Sequence, residues 1–184
     1  TGAAGGAHGA PFAPVVSPLV QSVNFQQPPG TTEGLRYTRY ANTPNAVAVQ
    51  ERLALLEGAE AALVLASGMG ATSCALLALL RPGDHLVSSA WIYGGTHRLF
   101  TQEFAQLGIE VTFVDPTHTR RWRQAIRENT RVIFAETPVN PTTRVLDLRP
   151  LGALTREAGL ALVVDSTFAS PINYRPLEHG ADVV

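Results

Sequence analysis

The chain has 184 residues, 45% of them apolar and 16% charged, with a formal net charge of −1. That length suits one domain of roughly 100–200 residues, and the even charge excludes an electrostatic footprint for nucleic acid or an anionic membrane. No apolar run approaches the roughly 20 residues a bilayer span needs. The stretch Thr1 to Gly6 lacks the basic start of a secretory signal, and the single cysteine, Cys74, has no disulfide partner within the chain. A cytoplasmic location is the resulting expectation.

Residues 1–45 are rich in Gly, Pro, Ala, Thr and Asn without a sustained period. They read as an extended N-terminal arm, with disorder expected at its beginning. From Ala46 the pattern changes, and Val47, Val49, Leu53, Leu55 and Leu56 predict a helix running to Glu57 and stopped by Gly58. Apolar runs then alternate with helical segments. Strands are expected over 62–66, 85–89, 110–115, 131–135 and 160–165, and 182–184 reads as the start of another. Helices are expected over 68–80, 95–107, 121–128 and 148–158. The strands are continuously apolar, which suits a sheet covered on both faces. The alternation predicts an α/β fold with a mostly parallel sheet flanked by helices, preceded by the arm. Residues 46–184 would form this domain, and a chain stopping inside a strand-like run is expected to be a piece of a longer one.

Ligands of open parallel sheets sit at the carboxyl ends of the strands, and four such ends are polar here. Ser67-Gly68-Met69-Gly70-Ala71-Thr72 could bring backbone N–H groups and a helix N-terminus to an anion, though an ordinary tight turn explains it equally well. It is a defective dinucleotide fingerprint, because Ser73 stands where the third glycine belongs, and it lacks the lysine of a P-loop. Trp91-Ile92-Tyr93-Gly94-Gly95-Thr96 could lay an aromatic ring on a planar ligand or simply pack in the core. Glu136-Thr137-Pro138-Val139-Asn140-Pro141-Thr142 is a proline-fixed loop, as consistent with a structural turn as with a binding site. Asp165-Ser166-Thr167-Phe168 puts a carboxylate at the tip of a buried strand, where it needs a cationic or hydrogen-bonding partner. In the arm, Tyr37 and Arg39 could meet a phosphate or be solvated. The five histidines have no ligand-like spacing, so no metal site is expected, and Cys74 is expected to be inert core.

Taken in order, Tyr37-Thr38-Arg39, Ser67-Gly68-Met69-Gly70-Ala71, Tyr93-Gly94-Gly95-Thr96, Glu136-Thr137-Pro138-Val139-Asn140-Pro141 and Asp165-Ser166-Thr167-Phe168 resemble the Cys/Met-metabolism family of pyridoxal-phosphate enzymes. The likeness runs from about residue 18 to 184. It implies the large domain of PLP-dependent fold type I, with pyridoxal 5'-phosphate as cofactor. By that resemblance, Gly68 and Met69, with Ser67 at the same turn, hold the phosphate. Tyr93 stacks on the ring and moves a proton at the leaving group, while Asp165 pairs with the ring nitrogen. Thr167 and Asn140 lie near the ring oxygen and the substrate. Tyr37 and Arg39 reach the phosphate of a neighbouring subunit, implying a homodimer, usually within a homotetramer.

The reaction implied is γ-replacement or γ-elimination on homoserine esters or cystathionine, of cystathionine γ-synthase or γ-lyase type. Homoserine-ester sulfhydrylase and methionine γ-lyase are the alternatives within the family, and Gly95 in place of a cysteine argues mildly against the last. The chain departs from the pattern at Asn42-Thr43-Pro44, where Asn-Pro-Thr is common, and at Ser166, often Asn. More seriously, all 14 basic residues are arginine, so the Schiff-base lysine of a Ser-x-Thr-Lys stretch is missing. Truncation just before that stretch is the expected cause, a natural lysine-less form the alternative, and either way this chain alone is expected to be inactive. Outside the family stand a nicotinamide-dependent dehydrogenase and a non-catalytic interaction domain.

Overall fold

A computed structural model describes residues 14–27 and 29–184. The expected disorder at the start of the arm, and His8, lie outside the described residues. The described chain up to Leu65 forms one compact unit and Ala66–Val184 a second.

In the first unit, Asn24 and Tyr37 make an isolated antiparallel bridge, followed by a 3-10 turn over Thr38–Tyr40 that Ala41 closes at φ 52°. Asn45 pins the arm, its Oδ1 accepting from the Val20 N–H at 2.8 Å and its Nδ2 donating to the Pro18 carbonyl at 2.8 Å. Helix α1 spans Pro44–Glu57 and ends at Gly58 with φ 69°. It begins ahead of Val47, where the helical spacing starts, because Thr43 is the cap, its hydroxyl accepting from the Ala46 N–H, and Pro44 occupies the first turn. No α1 residue is buried, and Val49, Leu53 and Leu55 are exposed. The strand expected over 62–66 does not form. An apolar run becomes a strand only when a neighbour pairs its backbone groups, and no described residue pairs with this one.

The second unit runs α2 (Gly68–Leu79), β1 (His85–Ser89), α3 (Gly94–Arg98), a π turn (Leu99–Glu103), α4 (Phe104–Gln106), β2 (Glu110–Val114), α5 (Thr119–Ala125), β3 (Thr130–Glu136), α6 (Arg149–Ala158), β4 (Ala161–Asp165), α7 (Ser170–Asn173) and a 3-10 turn at Pro176–His179. The expected helix over 95–107 is therefore one helical run interrupted by a π turn. The helix expected over 121–128 starts and stops earlier. Its one buried anchor is Trp122, and no side chain caps its start. The run at 182–184 contributes a single parallel bridge, Val163 to Val183.

All strand pairings are parallel, in the order β2-β1-β3-β4. Alternate residues face opposite layers. Val87, Ile133, Ala135, Leu162 and Val164 pack against Trp122 of α5 and Leu151 and Leu154 of α6. Leu86, Val132, Phe134 and Val163 pack against Leu76 of α2 and against Phe100 and Phe104 of the α3–α4 run. With helices on both faces, β1, β3 and β4 are mostly buried, whereas β2 at the sheet edge buries only Val114. Two-sided burial is why apolar residues dominate the first three. Cys74 is exposed rather than core, because α2 buries only Leu76 along its length. No helix among the described residues is long and apolar enough to cross a membrane.

Candidate active site

From β1 the chain moves outward to β2, then crosses back over β1 to enter β3 on its other side. Such a reversal is where open parallel sheets bind ligands, beyond the carboxyl ends of the two strands concerned. The strand period decides which residues look into that place. Glu136 follows Val132 and Phe134 in steps of two, and Asp165 follows Val163, so both carboxylates emerge on the α2 side. They are register partners on adjacent strands.

Glu136 is 4% exposed. Its Oε2 accepts from the Tyr93 N–H at 2.5 Å and its Oε1 from the Asn140 N–H at 2.8 Å, so one carboxylate holds the β1 loop and the β3 loop. Burial pushes its pKa up, the Asn140 and Tyr93 N–H bonds pull it down, and the Asp165 charge pushes it up again. Arg144 joins the two loops a second time, its guanidinium lying 4.8 Å from the Trp91 ring centre. The Thr137-Pro138 and Asn140-Pro141 bonds are cis. The Asn140 side-chain amide has no hydrogen-bond partner among the described residues.

Tyr93 leaves about half of its surface exposed and stands at the start of α3. Its ring lies over Gly95 and beside Met69: a Cβ added to Gly95 would sit 2.5 Å from Tyr93 Cε1 and 3.2 Å from Met69 Sδ. Thr96 reaches the same sulfur at 3.8 Å. The phenol ring is thereby placed at the mouth of α2.

That mouth is built by Ser67, whose Oγ accepts from the Gly70 N–H at 3.0 Å and whose carbonyl accepts from Ala71 at 3.0 Å. The N–H groups of Gly68 and Met69 have no acceptor among the described residues, as expected of a helix's first turn. Gly68 has open space where a Cβ would stand. Asp165 Oδ1 accepts from the backbone N–H of Thr167 at 3.1 Å and from its hydroxyl, while Oδ2 has no hydrogen-bond partner among the described residues. Two free N–H donors at a helix's positive end suit an anion. A carboxylate steered by a threonine, with one oxygen free, suits a protonated ring nitrogen, and the half-exposed phenol offers a face to a ring.

Of the residues singled out in the sequence, Ser67, Gly68, Met69, Tyr93, Asn140, Asp165 and Thr167 are linked through these contacts. Tyr37 and Arg39 lie in the first unit, where the Tyr37 N–H donates to Asn42 Oδ1 at 2.9 Å and Arg39 is exposed on the 3-10 turn. Glu136 was visible in the sequence only as part of a rigid loop. The overlooked signal is an acidic residue closing an otherwise apolar strand, next to a second strand that ends the same way.

A parallel sheet with such a set of groups above its switch point belongs to the α/β proteins that hold a planar, anionic cofactor. The family model of the Cys/Met metabolism PLP-dependent enzymes matches residues 3–184, and the chain belongs to that family, whose cofactor is pyridoxal 5'-phosphate. The chain is 43% identical over 174 residues to a probable cystathionine gamma-synthase of Herpetosiphon aurantiacus, covering 92% of this chain and 53% of that protein. It is 40% identical over 168 residues to a cystathionine gamma-lyase of Bacillus subtilis, covering 91% and 44%. The crystal structure of metB from Corynebacterium glutamicum superposes with a TM-score of 0.89 at 38% identity, over 98% of this chain and 47% of that one. The chain thus spans about half the length of the relatives it matches. The nicotinamide alternative gives way to this match, consistent with Ser73 in the third-glycine position.

Proposed function

We propose that this chain is the cofactor-holding part of an enzyme of sulfur amino-acid metabolism that performs γ-replacement or γ-elimination on homoserine esters or cystathionine, of cystathionine γ-synthase or γ-lyase type. The carrying observation is the α2-side cluster of Tyr93, Glu136 and Asp165 at the switch point, beside the unpaired N–H groups of Gly68 and Met69. Bound pyridoxal phosphate supplies an electron sink for bonds breaking at the substrate's α-carbon. Gly68 and Met69 donate to its phosphate, with Ser67 shaping the turn. Asp165 keeps a proton on the ring nitrogen, and Thr167 keeps Asp165 oriented. Tyr93 covers the ring and moves a proton at the leaving group, and Asn140 offers its free side-chain amide to the ring oxygen or the substrate.

The amine nucleophile that this chemistry requires is not among these 184 residues, so turnover is assigned to a protein of the relatives' length and not to this chain alone. Tyr37 and Arg39 are assigned to the phosphate of a second subunit in a homodimer or homotetramer. The exposed Val49, Leu53 and Leu55 of α1 are in keeping with a face covered by that subunit. A sulfhydrylase reading has its own support in the 42% identity over 148 residues to an O-acetyl-L-homoserine sulfhydrylase of Leptospira meyeri.

The full-length protein should turn yellow with pyridoxal phosphate. Assays with O-acetylhomoserine, O-succinylhomoserine, cystathionine and methionine should show turnover of cystathionine, or of an ester with cysteine as the incoming thiol. A protein that stays colourless at saturating cofactor overturns the reading. Preference for sulfide as the incoming thiol would select the sulfhydrylase instead.

A further inference from the structure

Glu136 carries a chemical cost that the fold alone does not require. A buried carboxylate is costly unless compensated, and among the described residues no arginine or histidine forms an ion pair with it. Its neighbour in the sheet is another acid, Asp165. What it has instead is two backbone N–H donors from two different loops, Tyr93 from beyond β1 and Asn140 from beyond β3. A carboxylate offers one accepting oxygen to each, at a fixed separation. A glutamine of the same shape offers one accepting oxygen and one donating nitrogen, so it can serve only one of these N–H groups.

We propose that Glu136 is a positioning residue: its carboxylate clamps the Tyr93 and Asn140 backbones across the switch point and so sets the spacing between the ring-covering phenol and the Asn140 side-chain amide. This rests on the cofactor reading above. Glu136 touches neither cofactor nor substrate in this role and acts through the two loops. Both clamped N–H groups belong to residues that the cofactor reading needs, and the strands bearing these loops are adjacent only because the chain reverses direction there. Small displacements of such groups are expensive, roughly 10²-fold in rate for an error of about 1 Å.

The test compares wild type, Glu136→Gln and Glu136→Asp in the full-length protein. It measures amide exchange at Tyr93 and Asn140, pyridoxal-phosphate affinity, the induced circular dichroism of the bound cofactor, and kcat apart from KM. In Glu136→Gln one of the two amides should lose protection by roughly 10- to 100-fold, the range for a lost hydrogen bond to a charged group. The induced dichroism should change, and kcat should fall more than KM rises. Glu136→Asp keeps the charge but is one methylene shorter, so it should restore part of the dichroism and part of kcat. If Glu136→Gln fails to fold, Glu136→Asp decides: unchanged exchange at both amides would overturn the clamp. Folded Glu136→Gln with wild-type exchange and dichroism would overturn it as well. A wild-type protein that does not bind the cofactor would instead defeat the cofactor reading, while amide exchange would still judge the clamp.

Discussion

Gly94 and Gly95 are adjacent, both lie in the first turn of α3, and only one of them has a neighbour in the way. A Cβ on Gly94 would meet nothing within 4 Å, whereas one on Gly95 would lie 2.5 Å from Tyr93 Cε1, 3.1 Å from Tyr93 Cδ1 and 3.2 Å from Met69 Sδ. Alanine in place of a helical glycine gains roughly 0.5–1 kcal/mol of stability. Gly94→Ala should therefore be neutral or slightly stabilising. In Gly95→Ala the ring must swing outward, and because it is already half exposed the lost packing is a fraction of the roughly 1.5–3 kcal/mol for a fully buried large apolar side chain. The two effects nearly cancel, so both variants should melt within a few degrees of wild type, as expected for changes below about 1 kcal/mol. Their cofactor affinities should differ. Displacing an aromatic partner costs about 0.5–1.5 kcal/mol beyond burial, so Gly95→Ala should bind pyridoxal phosphate several-fold to about tenfold more weakly, with altered induced dichroism, while Gly94→Ala should not. Paired thermal melts and absorbance titrations on the full-length protein decide the matter. Equal affinity and equal dichroism in the two variants would refute the placement of the Tyr93 ring over the cofactor.

Gly152→Ala should be destabilising by about 1–3 kcal/mol, the usual cost of overpacking. Its Cβ would stand 2.8 Å from Gly180 Cα and 2.8 Å from the His179 carbonyl oxygen, and backbone cannot rotate away as a side chain can; a denaturant midpoint measures this. Ser67→Ala removes the acceptor for the Gly70 N–H and should cost about 1 kcal/mol. Ser67→Asp keeps the cap but sets a negative charge at the mouth of α2, so it should melt near wild type and yet bind pyridoxal phosphate more weakly. Glu136 also predicts a pH dependence of stability. Its folded pKa is raised above the ordinary 4.5, so between these two values the folded state holds a proton that the unfolded state releases. Stability should fall as pH rises through that window, and Glu136→Gln should flatten this part of a stability-against-pH series.

Burial made β1, β3 and β4 legible as largely apolar runs, while β2 was legible from its β-branched and aromatic residues although only Val114 is buried. The glycines that end helices were equally plain. Gly58 and Gly159 sit at φ 69° and φ 66° as terminal caps. The run at 62–66 has the same composition but no strand beside it, and pairing is a property of the neighbour that no local pattern carries. The π turn at Leu99–Glu103 has no marker in a sequence whose apolar spacing suits an ordinary helix there. The polar strand ends pointed to the candidate site, and the order of the motifs pointed to the family. Glu136 was harder to read. Its role depends on which loops lie above the sheet once β1 and β3 are neighbours, and that follows from strand order and not from spacing along the chain.

The π turn and the loops can form from nearby residues, but the pairing of His85 with Thr130 and of Val132 with Ala161 joins distant stretches. Contacts of that kind form slowly and late. The candidate site's polar groups therefore come into mutual reach only after the middle of the sheet has zipped, so a cofactor held there would lock a finished frame rather than seed the collapse of the polypeptide. In refolding of the full-length protein, the induced dichroism of the bound cofactor should accordingly trail the gain of far-ultraviolet signal.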